Sequence, residues 1–166
     1  MFFFFLSTAV IPDVLRVSPS LPKGRQSSSS PLTLSTPESK EIQLTCTAST
    51  ESQQHSHLSV SFGFSSLAAP AGRQNLQEII AVRHDFSVEG AEGSPMYADR
   101  YQKGDLRVEK SGGDKYKMVI TRAQPEDAGT YHCTVGEWIQ DPDGSWQKIV
   151  EKRSVLPQLK VQTIGM

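Results

Sequence analysis

Two cysteines, 87 positions apart, constrain the fold of this 166-residue chain more than any other feature of its sequence. Cys133 closes the run Asp127–Cys133, which reads D-A-G-T-Y-H-C, and Cys46 lies far upstream. The separation excludes a compact C-x-x-C metal motif. The two side chains are therefore either two free buried thiols or one disulfide across a long loop, worth about 4–5 kcal/mol before strain. A disulfide would indicate an oxidising compartment.

Alternating polar and apolar residues surround both cysteines. Leu44 shares a face with Cys46, and Tyr131 shares a face with Cys133, while their neighbours are polar. A period of two is typical of strands that are wet on one side. No segment has a convincing helical period, and residues 89–96 are predicted to form a loop. We therefore predict an all-β sandwich of about eight or nine short strands. The other predicted strands lie at 31–35, 58–62, 76–82, 106–108, 115–121 and 146–161, the last of them interrupted by Pro157.

Composition and spacing exclude several classes of function. The net charge is −1 and the pI about 6.4, so no basic field attracts nucleic acid or anionic lipid. The sequence has no Gly-rich phosphate loop and no spacing that suggests a Ser/His/Asp set. A metal site needs three or four convergent ligands, and we expect the four histidines to be loop or solvent-facing residues. We therefore predict no enzyme activity, no cofactor, no metal and no small-molecule substrate. The histidines are His55, His57, His84 and His132.

The first thirty residues differ from the rest in composition. Residues 11–30 are rich in Ser and Pro and read as a linker. Met1–Val10 is apolar but shorter than the roughly 20 residues that span a bilayer. It is either a signal peptide or the start of a truncated gene model, and no other segment could cross a membrane. We predict a ragged N-terminus and linker over 1–30 and one domain over 31–163.

The run that ends at Cys133, together with an upstream inward cysteine, resembles the variable-type immunoglobulin fold over about residues 31–163. The resemblance implies two antiparallel sheets joined by one disulfide between Cys46 and Cys133. Such domains usually carry Trp on the strand that packs against the disulfide. Here the corresponding position is Phe62, which fills less volume and has no N–H to satisfy.

The same resemblance implies roles for the residues that precede Cys133. Tyr131 corresponds to the tyrosine corner, whose hydroxyl bonds to backbone a few residues upstream. Gly129 allows the tight chain path into the strand. Arg100 lies where variable-type domains place an arginine that pairs with the acidic residue at Asp127. These residues therefore form a fold signature rather than a catalytic set.

The stretch after Cys133 predicts a long hairpin. Proline at the second turn position and glycine at the fourth suit a type I turn followed by a left-handed bulge. This register pairs Trp138 with Lys148. Continued without irregularity, it would place Cys133 opposite Arg153, so we expect a bulge near Gly136. The turn consists of Asp141, Pro142, Asp143 and Gly144.

Two tryptophans lie on one face of this predicted hairpin. In the predicted register Trp138 and Trp146 are diagonal neighbours within reach of each other. One interpretation is that the two indoles cover each other and brace the hairpin. The other is that part of this face is a partner-binding patch, because Trp is enriched among interface hot spots.

A closer resemblance rests on the residues that open the hairpin. They spell E-W-I, and they are Glu137, Trp138 and Ile139. With the Asp141–Trp146 continuation, Ile11–Leu15 and His57–Phe62, the chain resembles the EWI family of immunoglobulin-superfamily membrane proteins, and most of all the second immunoglobulin domain of such a protein. The family has several such domains outside the cell and one membrane-spanning helix. The resemblance implies that the chain is a fragment and that Met1–Val10 is an artefact rather than a signal peptide.

The resemblance also implies a function. Members of the family associate laterally with tetraspanins and influence adhesion and migration. We therefore expect a non-catalytic protein-interaction module in the extracellular part of a single-pass plasma-membrane protein. The alternatives are a receptor module that binds a surface ligand in trans through the hairpin, and a spacer domain. A homophilic contact is a further option.

Overall fold

The computed structural model describes residues 32–67, 76–90 and 92–163. By internal contacts the chain divides into two units, Met1–Ser30 and Pro31–Met166, and the fold is that of the second. The predicted linker, Met1–Val10 and Ile11–Leu15 lie outside the described residues.

Ten strands, one α-helix and one 3-10 turn (Pro125–Asp127) make up the described part of the chain. The elements are β1 (Thr33–Pro37), β2 (Ile42–Thr47), β3 (His57–Ser66), β4 (Gln77–Val82), β5 (Val88–Gly90), α1 (Pro95–Lys103), β6 (Leu106–Ser111), β7 (Lys115–Ile120), β8 (Gly129–Gln140), β9 (Trp146–Val155) and β10 (Gln158–Gln162). Seven strands form the main sheet in the order β1-β10-β8-β3-β4-β5, with β9 also paired to β8, and three form the second sheet in the order β2-β7-β6.

The predicted sandwich with an inter-sheet disulfide is confirmed. Cys46 on β2 and Cys133 on β8 are bonded across the two sheets, with their Cα atoms 6.1 Å apart. Phe62 on β3 lies directly opposite Cys133 in the main sheet and has no exposed surface. Alternation explains the core: in β2 every second side chain, from Ile42 onward, is buried between the sheets.

The strand count differs from the prediction in two places. The last predicted strand is two strands, because the chain breaks at Leu156 and Pro157 between β9 and β10. The other addition is β5, which pairs with β4 at the sheet edge. One pair, β1 with β10, is parallel, although we expected only antiparallel sheets.

The predictions of a loop over 89–96 and of no helix are wrong. Instead β5 begins at Val88, and α1 begins at Pro95, the first-turn position that proline favours. Gly104 ends the helix in the left-handed conformation, with φ of 83°. Of its nine residues only Tyr97 and Arg100 are buried, so the apolar period is too weak to read. Among the described residues no helix is long and apolar enough to cross a bilayer.

The predicted hairpin register is confirmed. Trp138 pairs with Lys148, and the turn closes through hydrogen bonds between Asp141 and Ser145. The expected irregularity lies between Glu137 and Trp138, one residue beyond Gly136. The shift places Cys133 opposite Ser154, which keeps Arg153 away from the disulfide.

Candidate functional site

A buried polar network holds the base of β8. Asp127 has no exposed surface, and its carboxylate accepts hydrogen bonds from Arg100 Nη1 at 2.6 Å and from the Tyr97 hydroxyl at 3.0 Å. The Tyr131 hydroxyl donates to the backbone oxygen of Asp127 at 2.7 Å, and the backbone N–H of Gln124 donates to the second carboxylate oxygen at 2.8 Å. The helix α1 supplies two of these side chains, so the helix and the strand are joined through one carboxylate.

This network is built for position rather than for reaction. Burial raises the pKa of Tyr97, and the neighbouring Tyr131 and Asp127 raise it further. Burial also raises the pKa of Tyr131. Both hydroxyls therefore stay protonated at neutral pH and act as hydrogen-bond donors. Their donated hydrogen bonds to Asp127 fix the chain path into β8.

Gly129 has a steric role at the same base. A Cβ added there would lie 2.4 Å from the backbone oxygen of Ser65 and 2.5 Å from the Phe64 ring. Phe64 packs in turn on Tyr97 and Tyr131, with ring centroids 5.3 and 5.0 Å apart. Only glycine lets β8 approach β3 this closely.

Glu137 marks the opposite end of β8, where it ties a loop to the hairpin. It is 2% exposed, and its carboxylate accepts hydrogen bonds from the backbone N–H groups of Glu51 (2.9 Å) and Ser52 (3.2 Å) and from the hydroxyls of Ser52 and Ser56. Burial disfavours the charged form, but these donors, led by the Ser52 hydroxyl, outweigh it and lower the pKa of Glu137 to about 2. The acidic residue of the E-W-I run thus organises the 48–56 loop from within.

Trp138 is half-buried and held by several neighbours. Its indole N–H donates to the Ser59 hydroxyl at 2.9 Å. Its ring stacks on His84 with centroids 4.7 Å apart, and Lys148 Nζ lies 5.6 Å from the ring centroid. A Cβ at Gly136 would lie 2.7 Å from the Ser59 hydroxyl and 3.0 Å from the indole nitrogen. These contacts favour a bracing role for Trp138.

The second tryptophan joins an aromatic cluster at the loop end of the domain, where the 48–56, 83–87 and 141–145 segments meet. Trp146 contacts His57 at 4.6 Å and His84 at 4.9 Å between ring centroids, and Phe86 contacts His57 at 5.0 Å. The Nδ1–H of His57 donates to the backbone oxygen of His84 at 2.7 Å. We call His57, His84, Phe86, Trp138 and Trp146 the aromatic cluster.

The contact between the two indoles differs from the prediction. In the part of the chain that the structure describes, no ring contact joins Trp138 to Trp146, and the imidazole of His84 touches both. His84 lies in a loop as expected, in the turn between β4 and β5, but it is half-buried in the cluster. His57 is also half-buried and lies in β3, so the expectation of a loop or solvent-facing residue is wrong for it. The sequence did not predict this burial because it depends on long-range strand pairing, which places His57 opposite Trp138.

The remaining hairpin residues are more exposed. Ile139 is partly exposed and pairs with Gln147, while Pro142 and Gly144 are fully on the surface of the turn. Asp141 and Asp143 lie in the same turn, where both carboxylates face the Ser145 hydroxyl. The predicted hairpin therefore presents a polar, acidic tip beside the aromatic cluster.

A shallow groove of about 270 Å³ runs down the outer face of the main sheet below the cluster. Its floor is made of small residues on the two central strands, β3 and β8. Charged side chains of both signs also line it, namely Glu78, Arg83, Lys148, Glu151 and Arg153. The floor residues include Ser59, Ser61, Gly63, Thr134 and Gly136.

The described residues contain no group of three or more His, Cys, Asp or Glu side chains that could hold a metal ion. Although three histidines lie near the loop end, His57 and His84 direct ring faces at indoles and at Phe86. The chemistry available at this end is thus aromatic packing, hydrogen bonding and acidic charge.

A sandwich whose sheets are bridged through Cys46 and Cys133, with β4 and β5 extending the main sheet and Tyr131 bonded back to the preceding loop, is a variable-type immunoglobulin domain. The chain belongs to the immunoglobulin V-set domain family, which it matches over residues 29–152. The structure of murine CRIg shares the fold with a TM-score of 0.53 and 16% identity, over 80% of this chain and 93% of that one.

Sequence relatives are found among immunoglobulin-superfamily members. The chain is 53% identical over 158 residues to human immunoglobulin superfamily member 8, covering 94% of this chain and 25% of that protein. It is 37% identical over 153 residues to Xenopus laevis immunoglobulin superfamily member 3, covering 92% of this chain and 12% of that protein. It is 34% identical over 161 residues to the rat prostaglandin F2 receptor negative regulator, covering 97% of this chain and 16% of that protein. The predicted homology is thus confirmed, and the chain spans a quarter or less of the length of these relatives.

Proposed function

We propose that this domain is a non-catalytic protein-recognition module of a cell surface and that it meets its partner with the aromatic cluster and the β8–β9 hairpin. One observation carries the proposal: three segments distant in sequence bring five aromatic or imidazole rings together at one end of the sandwich. Aromatic side chains supply large contact area with little loss of conformational freedom on binding. A spacer domain has no need of such a concentration.

The cluster divides into a supporting and a presenting part. Trp138 is hydrogen-bonded and stacked, and it supports the hairpin. Phe86 is 65% exposed and offers most of its ring to solvent. Trp146 lies between the two, in contact with both histidines. We assign the partner contact to Phe86 and Trp146 and the bracing role to Trp138.

The resemblance to the EWI family and the homology to immunoglobulin superfamily member 8 support a finer proposal. On this basis the chain is part of the extracellular region of a single-pass plasma-membrane protein that associates with tetraspanins and regulates adhesion and migration. The E-W-I residues support it indirectly, because Glu137 and Trp138 hold the loop end in one conformation. Lateral association and recognition in trans are the two candidate uses of that end.

The test uses the full chain, secreted as a fluorescent tetramer, and compares staining of intact cells with capture of tetraspanins from detergent extracts. Trp146→Ala is expected to lower the signal in the assay that reports the true partner while the variant keeps a cooperative unfolding transition. Val155→Ala is the matched control, because Val155 is 60% exposed and lies near the other end of β9. Unchanged binding by folded Trp146→Ala and Trp138→Ala proteins would show that the cluster is only a brace.

A further inference from the structure

Two turns at the loop end are built alike. In the β4–β5 turn, Arg83 N–H donates to the Ser87 oxygen at 2.8 Å and Phe86 N–H donates to the Arg83 oxygen at 2.9 Å. In the β8–β9 turn the same two hydrogen bonds, each of 2.8 Å, run from Asp141 to the Ser145 oxygen and from Gly144 to the Asp141 oxygen. Both turns are therefore the three-residue hairpin loop that ends in a left-handed residue.

The two turns also share a side-chain device. Asp85 accepts hydrogen bonds from the N–H and hydroxyl of Ser87 at 3.0 and 2.6 Å. Asp143 accepts the same pair from Ser145 at 2.8 and 2.7 Å. The motif Asp-x-Ser thus occurs twice, and in each case its central residue, Phe86 or Gly144, takes the positive φ angle.

The central residue is where the two turns differ. Gly144 has φ of 93°, which costs glycine nothing. Phe86 has φ of 71°, a conformation that is an outlier for a bulky side chain. The hairpin turn shows that this chain can place glycine at such a site. The β4–β5 turn instead holds a strained aromatic residue.

Packing within the domain does not account for the strain. The ring of Phe86 touches the His57 imidazole at 5.0 Å between centroids, and the residue is nevertheless 65% exposed. Most of its apolar surface is left in water, where it contributes little to folding. Strained backbone that stability does not require is characteristic of functional sites. An exposed, pre-positioned ring is what an interface anchor needs.

The charges of the two turns indicate the chemistry of a group that would bind at Phe86. Asp85 immediately precedes Phe86 in the β4–β5 turn. The hairpin turn carries Asp141 and Asp143, and it meets the β4–β5 turn through the contacts of Trp146 with His57 and His84. The Ser87 and Ser145 hydrogen bonds hold the pKa values of Asp85 and Asp143 below their usual range, so both stay charged. Neither turn contains Lys or Arg between its closing residues, and Arg83 is already engaged by two carboxylates. The two bound carboxylates are Glu78 and Glu89.

We propose that Phe86 is the anchor of a docking surface for a protein partner that presents an arginine or lysine side chain to the loop end. The basic group lies over the aromatic faces of Phe86 and Trp146 and pairs with the carboxylates of Asp85 and Asp143. A second copy of this chain docked end to end would set like charges against each other. The inference rests on the proposed function, of which it specifies the anchor and the partner chemistry.

The first test concerns the strain. Phe86→Gly and Phe86→Asn both suit the left-handed conformation. Each is expected to leave the melting temperature of the full chain unchanged or to raise it, by up to about 4 °C, since relief of strain offsets the small loss of packing. A fall in melting temperature for both variants would show that Phe86 is there for stability and would overturn the proposal.

The second test concerns the partner chemistry. The probe is a disulfide-cyclised peptide that presents Leu-Arg-Leu at its turn, and the control peptide presents Leu-Glu-Leu. At millimolar concentration the arginine peptide is expected to shift the backbone amide signals of 84–87, 141 and 143–146 in the full chain. Phe86→Gly is expected to weaken this binding at least tenfold, and Val155→Ala to leave it unchanged. Absence of these shifts, or equal shifts with the glutamate peptide, overturns the assignment of a basic partner.

The cell-staining assay separates this inference from the proposed function. Loss of staining with Phe86→Gly as well as Trp146→Ala supports both. Loss with Trp146→Ala but not with Phe86→Gly leaves recognition through the aromatic cluster standing but removes Phe86 from the partner contact. If neither substitution changes staining or tetraspanin capture, both proposals fail.

Discussion

A few single residues at the base of β8 determine how the chain enters this strand. The buried carboxylate of Asp127 accepts hydrogen bonds from Tyr97, Arg100 and the backbone N–H of Gln124. The Nη2 nitrogen of Arg100 is buried and has no hydrogen-bond partner, so Asp127 is the group that compensates its charge. The motif around Cys133 indicated this pair through resemblance, whereas Tyr97 lies in a helix that the sequence did not predict.

Substitution of Asp127 tests that dependence. Asp127→Asn keeps the shape and removes the negative charge, leaving the Arg100 guanidinium buried and uncompensated. We expect the free energy of unfolding to fall by about 3–5 kcal/mol in urea titrations. The surface pair of Lys103 with Asp99, 2.9 Å apart and solvent-exposed, supplies the control. Asp99→Asn is expected to leave unfolding unchanged, and an equal loss in both variants would contradict the prediction.

Glu137 predicts a pH dependence. Its pKa is about 2 in the folded protein, below the ordinary glutamate value, so its hydrogen bonds stabilise the fold above the unfolded-state pKa and are lost as pH falls through about 2. The difference in unfolding free energy between the wild type and Glu137→Gln should be constant above about pH 5 and shrink towards pH 2. Urea titrations at several pH values measure it. A difference that does not change with pH would contradict the assignment.

At the scale of elements, the alternation of polar and apolar residues predicts where strands lie but not which strands pair. The runs around Cys46 and Cys133 were readable because each strand buries one face. The sequence pattern did not predict helix α1 because only two of its nine residues are buried. Pro95 and Gly104, at its two ends, are nevertheless typical start and stop signals of a helix. The sequence also did not predict the aromatic cluster, because His57, His84 and Phe86 come together only when β3, β4 and β5 pair. The sequence does contain one local indication of the two turns, the Asp-x-Ser motif that occurs at 85–87 and again at 143–145.

The contact between β3 and β8 gives an element-scale prediction. Gly129→Ala places a Cβ against the backbone oxygen of Ser65, which cannot yield without moving the strand. We expect a loss of about 1–3 kcal/mol in unfolding free energy by urea titration. Gly113 is the matched control, because a Cβ there meets nothing within 4 Å and its φ is not in the left-handed region. If the two alanine variants are equally stable, the close approach is not structurally required.

For the whole molecule, one covalent bond joins the two sheets. The chain has two cysteines, and both are in the bond between β2 and β8. Reduction, or the double substitution Cys46→Ala and Cys133→Ala, is expected to lower the free energy of unfolding by about 2–5 kcal/mol. Urea titrations with and without reductant measure it. The double variant should not respond to reductant, and a wild type equally stable in both conditions would contradict the prediction.

The directions of the strands decide how the loop end can be presented. The hairpin turn is at one end of β8, and Gly129, next to Leu159 of β10, is at the other. The twelve residues of β8 separate them by about 36 Å. β10 runs antiparallel to β8, so the chain leaves it at Gln162 while running away from the hairpin. A tether attached beyond Gln162 would hold the domain at the end opposite the hairpin, so that the aromatic cluster would point away from the point of attachment.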